Sequence, residues 1–251
     1  MLEHIQHGEI LELRLARPPV NALNPELVGQ LRAAIEAAPA QGAHGLLLSG
    51  RAGMFSAGLD VPALLQLDRA GMHAFWGDFF ALCAALARSP IPVVAALTGH
   101  SPAGGAVLAI FCDYRVMANG AFKIGLNEVQ VGLSVPDPIQ FALRRLVGGY
   151  RAERLLVSGT MIEAADALQI NLVDELTDIE NVIPQAHAWL ADLLKLPRQA
   201  MCNTRRIARL DLADAFADTS KFAIDDFVDA WFSNESQSTL RALVAKLKGG
   251  K

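Results

Sequence analysis

Three short segments carry polar groups and turn-forming glycines in places where a plain apolar core would have neither. They are Phe55-Ser56-Ala57-Gly58-Leu59-Asp60, Gly99-His100-Ser101-Pro102-Ala103-Gly104-Gly105 and Gly125-Leu126-Asn127-Glu128. Gly58 permits a sharp bend after a strand, which frees the Leu59 N–H to turn outward instead of toward a sheet partner. Gly104-Gly105 opens a helix whose first N–H groups have no internal acceptor, and the missing side chains let a ligand oxygen come close. Two such donors aimed at one point form an oxyanion hole. The third segment sets Glu128 among Leu126, Val129 and Val131. A carboxylate buried there loses hydration, its pKa rises, and it becomes a competent base near neutrality. Each segment alone also fits an ordinary turn or a solvated acid, so chemistry requires all three to meet.

Other reactive side chains fit known motifs poorly. The histidines, His4, His7, His44, His73, His100 and His187, never fall at H-x-x-x-H or H-E-x-x-H spacing, so no metal site is predicted. His100 reads as a turn residue. Ser56 and Ser101 lack the G-x-S-x-G setting of an activated nucleophile. Asp60 and Asp113 suit a loop-closing hydrogen bond or an ion pair with Arg115 better than acid catalysis. Val147-Gly148-Gly149 does not make the G-x-G-x-x-G pattern of a dinucleotide site.

The elements that must position these segments alternate strand and helix over the first 130 residues. Ile10 to Leu15 reads as a strand stopped by Pro18-Pro19. Asn24 and Pro25 make an N-cap and first helical position ahead of Leu27, Leu31 and Ile35. Gly45 to Ser49 and Pro92 to Leu97 are continuously apolar strands, the kind covered on both faces. Met72, Phe75, Trp76, Phe79, Phe80 and Cys83 trace one face of a helix reaching about Arg88. A helix follows from about Ala103 to Phe111, then strands at Tyr114 to Ala118 and Ala121 to Ile124. Beyond Pro136 the pattern turns helical, at about 138–147, 163–170, 181–194, 198–209, 212–232 and 234–248, with only Leu172 to Leu176 strand-like. Thr160-Met161-Ile162-Glu163 has the form of a capping box, and Asn171 is placed to end a helix in the left-handed region.

Of 251 residues, 52% are apolar, and 22 basic side chains face 26 acidic ones for a net charge of −4. That length allows one large domain or two small ones. Mild acidity without a Lys/Arg block lacks the electrostatic footprint of nucleic-acid binding. The most apolar runs, Val93 to Leu97 and Ala106 to Cys112, fall far below the ~20 residues of a membrane span. Neither nucleic acid nor membrane is therefore an expected partner. Cys83, Cys112 and Cys202 are too scattered for a disulfide or metal framework and fit free thiols in a reducing compartment. Met1 to Leu15, with Glu3, His4, His7 and Glu9, resembles neither a secretion signal nor a transit peptide. The expected location is the cytoplasm.

Taken together, Pro-Val-Asn-Ala-Leu (19–23), Phe-Ser-Ala-Gly-Leu-Asp, Pro-Ala-Gly-Gly, Cys112-Asp113-Tyr114-Arg115 and Gly-Leu-Asn-Glu resemble the crotonase, or enoyl-CoA hydratase/isomerase, superfamily. The likeness runs over nearly the whole chain, and its wording is nearest the delta(3),delta(2)-enoyl-CoA isomerases of the mitochondrial type. It implies an α/β crotonase fold: a ClpP-like spiral of ββα units over residues 1–195 and a helical C-terminal extension over 196–251 that serves trimerisation. By the same resemblance, the N–H groups of Leu59 and Gly104 hold a thioester oxygen, and Ala57, Gly58, Leu59, Asp60 and Val61 border the CoA moiety. Asn127 lies beside the acyl group and Glu128 is the base. The implied substrate is an acyl-CoA thioester, with no cofactor beyond the CoA it carries and no metal, acting in a homotrimer or dimer of trimers. Family hydratases carry a second glutamate three residues after the oxyanion-hole glycine, where this chain has Val107; that favours isomerisation over hydration. A hydratase and a non-catalytic acyl-CoA-binding homologue are the alternatives. Phe222, Phe227, Trp231 and Phe232 fit either docking on a neighbouring subunit or lining an acyl tunnel.

Overall fold

The computed structural model describes residues 1–218 and 222–249, with side chains through Lys246. Its strands, in chain order, are β1 (Leu2–His7), β2 (Ile10–Leu15), β3 (Gly45–Ser49), β4 (Gly53–Met54), β5 (Val93–Leu97), β6 (Gly99–Pro102), β7 (Tyr114–Ala118), β8 (Lys123–Gly125), β9 (Ile162–Glu163) and β10 (Glu175–Thr177). They divide into a six-stranded sheet ordered β1-β2-β3-β5-β7-β10 and a four-stranded sheet ordered β4-β6-β8-β9. The helices are α1 (Pro25–Ala37), α2 (Val61–Leu64), α3 (Arg69–Arg88), α4 (Gly104–Ile110), α5 (Asp137–Val147), α6 (Gly149–Ser158), α7 (Ala164–Gln169) and α8 (Val182–Leu193). The tail adds α9 (Arg198–Ala208), α10 (Leu210–Asp214), α11 (Ile224–Trp231) and α12 (Asn234–Gly249). From β3 onward, three successive repeats each place a first strand in the large sheet and a second in the small sheet, then continue into helix. This is the crotonase spiral of ββα units, in the α/β class.

The large sheet is parallel except for the β1–β2 hairpin, and helices cover both faces. Side chains alternate between two apolar layers, as the strand pleat requires. Leu11, Leu13, Leu46, Leu48, Val93, Ala95 and Leu97 face the main core. Ile10, Leu47, Val94, Ala96, Val116 and Ala118 face Val182, Ala186 and Leu190 of α8. Burial on both sides explains why Gly45–Ser49 reads as an unbroken apolar run.

Local signals hold at the first two long helices. Asn24 caps α1 by accepting from the Leu27 N–H at 3.0 Å, with Pro25 at the first helical position. The aromatic face of α3 is buried, although its 20 residues are by length and composition apolar enough to cross a membrane. Asn171 does take a positive φ of 63°.

Elsewhere tertiary context overrides sequence pattern. The T-x-x-E motif forms no capping box: Ile162–Glu163 pairs as β9 and no side chain caps α7. A helix at Gly149–Ser158 appears where none is predicted, because only Ala152 and Leu156 of it are buried and the apolar stripe is thin. The predicted 212–232 helix is two helices separated by a turn at Ala215–Ala217 and a left-handed Ala223 at φ 46°; residues 219–221 of it lie outside the described part. Leu172–Leu176 is strand only from Glu175. The tail aromatics pack within their own chain: Phe227 lies 5.6 Å from Trp76, Phe222 lies 4.9 Å from Phe80, Trp231 is fully buried, and Phe232 stands under Arg69.

Candidate active site

The three polar segments leave the C-terminal ends of β4, β6 and β8, which are neighbours and mutually parallel. Such strand ends are where α/β proteins place ligands. Pro102 pairs with Gly125, and the next amide, that of Ala103, donates to the Gly125 carbonyl at 2.8 Å. That one bond ties the start of α4 to the segment that leads to Glu128.

The first segment is clasped by the Pro19–Leu23 stretch. Asn21 donates to the Phe55 carbonyl at 3.0 Å, and Ser56 Oγ donates back to the Asn21 carbonyl at 2.8 Å. The Leu23 N–H donates to the Gly58 carbonyl, while the Asp60 N–H donates to the Leu23 carbonyl. Leu23 and Leu59 thus form a parallel bridge, in which the polar groups of Leu59 point to the opposite side. The Leu59 N–H has no acceptor among the described residues. Gly58 makes this bend at φ 81°, and a Cβ there would lie 3.1 Å from the Gly104 nitrogen. A Cβ on Gly104 would in turn sit 2.9 Å from Leu23 Cδ1 and 3.3 Å from Gly58 Cα. The two backbones approach so closely that a side chain at either position must push its neighbours apart.

Ala103 supplies a feature that the sequence does not signal. Its φ of 45° and ψ of −119° match the first central residue of a type II′ turn, a place glycine ordinarily takes. Strain of this kind costs about 1 to 3 kcal/mol and persists only where surroundings impose it. Here the Gly125 bond imposes it, and the result sets the direction of the Gly104 amide. As the first residue of α4, Gly104 has no carbonyl one turn back to bond.

Glu128 begins a 3-10 turn, Glu128–Val131. The residue is half-buried, but its Oε2 is sealed from solvent and has no hydrogen-bond partner. Burial pushes its pKa up to about 7, against a weaker lowering by its own backbone N–H. Asn127 Oδ1, one residue earlier, is also buried without a partner. Adjacent unsatisfied acceptors are uncommon in a folded interior and mark a strained or functional place.

Most of the remaining candidates have structural work. Asp60 caps α2 through the Ala63 N–H at 3.0 Å and pairs with Arg17 at 2.5 Å, and its neighbour Val61 is buried. Ala57 donates to the Val20 carbonyl. Asp113 does not pair with Arg115, which instead takes Asp174 at 2.6 Å. His100 is no turn residue: it lies in β6, and its Nδ1 accepts from the Lys123 N–H at 3.1 Å. Ser101 Oγ is buried and unpartnered beside Gly105.

A family model described as enoyl-CoA hydratase/isomerase matches residues 6–249. The chain belongs to the enoyl-CoA hydratase/isomerase family. It is 31% identical over 242 residues to human mitochondrial enoyl-CoA delta isomerase 1, covering 95% of this chain and 80% of that one. It is 32% identical over 190 residues to the probable enoyl-CoA hydratase echA17 of Mycobacterium avium, covering 75% and 74%. The crystal structure of human mitochondrial delta3-delta2-enoyl-CoA isomerase matches with a TM-score of 0.93 at 28% identity, over 100% of this chain and 99% of that one.

This enoyl-CoA hydratase/isomerase family member also has a charged clamp behind α4. Asp113 accepts from Arg205 Nε and Nη2, both at 2.8 Å, and forms an ion pair with Arg209 at 3.1 Å. Arg209 and Arg115 donate to the last carbonyls of the α4 region, at Phe111 and Cys112. Cations at a helix C-terminus are favourable, and here they anchor the helix that opens with Gly104. Arg205 and Arg209 lie about 90 residues from Asp113 in the chain, so no local signal reveals them.

Proposed function

We propose that this protein is a delta(3),delta(2)-enoyl-CoA isomerase, moving a double bond from carbon 3 to carbon 2 of a fatty acyl-CoA. The Leu59 and Gly104 N–H groups receive the thioester oxygen, Ala57 to Val61 border the CoA moiety, and Asn127 lies along the acyl group. Glu128 removes a proton from carbon 2. The electron pair shifts into a dienolate whose charge rests on the thioester oxygen, where each fixed donor is worth about 3 to 4 kcal/mol. Glu128, now neutral, returns the proton to carbon 4, leaving the double bond between carbons 2 and 3. A carboxyl whose pKa lies near 7 suits both halves of this shuttle.

The observation that carries the reading is a solitary acid: Glu128 faces no second carboxylate from α4, because the position three residues after Gly104 is Val107, 1% exposed. A branched apolar side chain cannot orient an attacking water. The 32% likeness to a probable hydratase makes hydration the second reading. Steady-state assays with a 3-enoyl-CoA and with crotonyl-CoA separate the two: isomerisation should dominate, and crotonyl-CoA hydration that matches it would overturn the assignment. Glu128→Gln should lower isomerisation by about 10²- to 10⁴-fold while acyl-CoA binding persists; an unchanged rate removes Glu128 from the mechanism. We assign the active form to a homotrimer or dimer of trimers in the cytoplasm, which sedimentation and fractionation test.

A further inference from the structure

No side chain among the described residues hydrogen-bonds the sealed Oε2 of Glu128, and no charged neighbour contributes to the pKa of the carboxyl. Its direction therefore depends on the turn it begins. That turn closes through the Gly132 N–H onto the Val129 carbonyl at 3.2 Å and the Leu133 N–H onto the Glu128 carbonyl at 3.1 Å. The far end is held from the tail: Ser236 Oγ, on α12, donates to the Gly132 carbonyl at 2.6 Å. Ser236 is 1% exposed, and Ser233 Oγ donates to it at 3.1 Å, so its hydroxyl is oriented from behind.

The fit is close at the backbone level. Gly132 sits at φ 76°, and a Cβ there would lie 3.1 Å from Ser236 Cα. α12 packs against both this turn and α2, the helix that follows Leu59. One tail helix thus touches the element carrying the acid and the element next to an oxyanion-hole donor.

We propose that Ser236 is a positioning residue for Glu128: by fixing the Gly132 end of the turn, α12 sets the reach of the carboxyl and keeps water from it. This rests on Glu128 being the base. Ser236→Ala removes the hydroxyl without adding bulk, and Gly132→Ala attacks the same contact from the other side. Either loosens the turn, admits water to the carboxyl, and moves its titration down from about 7 toward the ordinary 4.5.

The test has two readouts. In full-length protein labelled with ¹³C at glutamate carboxyls, the Glu128 signal is identified by its loss in Glu128→Gln and titrated in wild type and both variants. The acid limb of kcat for a 3-enoyl-CoA is measured alongside. Both variants should shift the titration midpoint down by about one pH unit or more and lower kcat by about 10- to 100-fold, with KM changed less than about threefold. A midpoint that stays put in the folded variants overturns the proposal, even if kcat falls, since a merely structural contact would do that. If wild type fails to isomerise yet the midpoint moves, the isomerase reading fails and the positioning role stands.

Discussion

Replacing Glu128 with glutamine should make the protein more stable at alkaline pH while stripping it of activity. The folded pKa of about 7 stands above the 4.5 of an ordinary glutamate, so the native state binds this proton more tightly than the unfolded chain does. Its contribution to stability is fully present below about 4.5 and is lost as pH rises through about 7. Above that, the native state holds a buried ionised carboxylate at a penalty of ~3 kcal/mol, taking 1.36 kcal/mol per pKa unit. Glutamine stays neutral throughout. Urea unfolding followed by tryptophan fluorescence should therefore show Glu128→Gln ahead of wild type by ~3 kcal/mol at pH 8, with the gap closing toward pH 4.5. The wild-type rate should fall about tenfold per pH unit below about 7, the mirror of the same titration. A gap that is absent at pH 8, or equal at both pH values, would refute burial as the source of the acid's behaviour.

Gly58→Ala must hold alanine at φ 81° and press a methyl to 3.1 Å from the Gly104 nitrogen; we expect about 1 to 3 kcal/mol of lost stability in denaturant and isomerisation down by about 10² to 10³. A rate near wild type would separate the Leu59–Gly104 geometry from catalysis. Arg205→Met deletes the bidentate partner of a nearly buried Asp113, which keeps Arg209 at 3.1 Å, and thermal unfolding should register ~1.5 to 3 kcal/mol. By contrast, Arg144→Met, which breaks an exposed pair with Asp137, should register under about 1 kcal/mol; equal losses would show that the clamp behind α4 is ordinary surface charge.

Legibility in the sequence followed the range of the interactions. α1 announced itself because its cap, its proline and its apolar stripe lie within a dozen residues, and α3 because six apolar side chains, five of them large, repeat on one face. Of the small sheet only β8 did, through the strand expected at Ala121 to Ile124: Gly53–Met54 and Gly99–Pro102 are short and carry glycine, histidine and proline, and they pair only because the large sheet delivers them side by side. β1 was hidden by its exposed alternation, and α6 by its two buried residues. In the site, the glycines and the acid with apolar flanks were visible as types. The strained Ala103, the Arg205–Asp113–Arg209 clamp and the Ser236 contact were not, since each joins groups that the chain separates and only the fold brings together.

The site draws its working parts from three consecutive windings of one spiral, one part per winding. A single residue inserted just past β4 would slide one donor by about 3.3 Å and leave the other donor and the acid where they are. An exchange at the head of α4 or just past β8 would likewise alter one component alone. Such a scaffold lets one rung be edited at a time, while the other two parts hold their places.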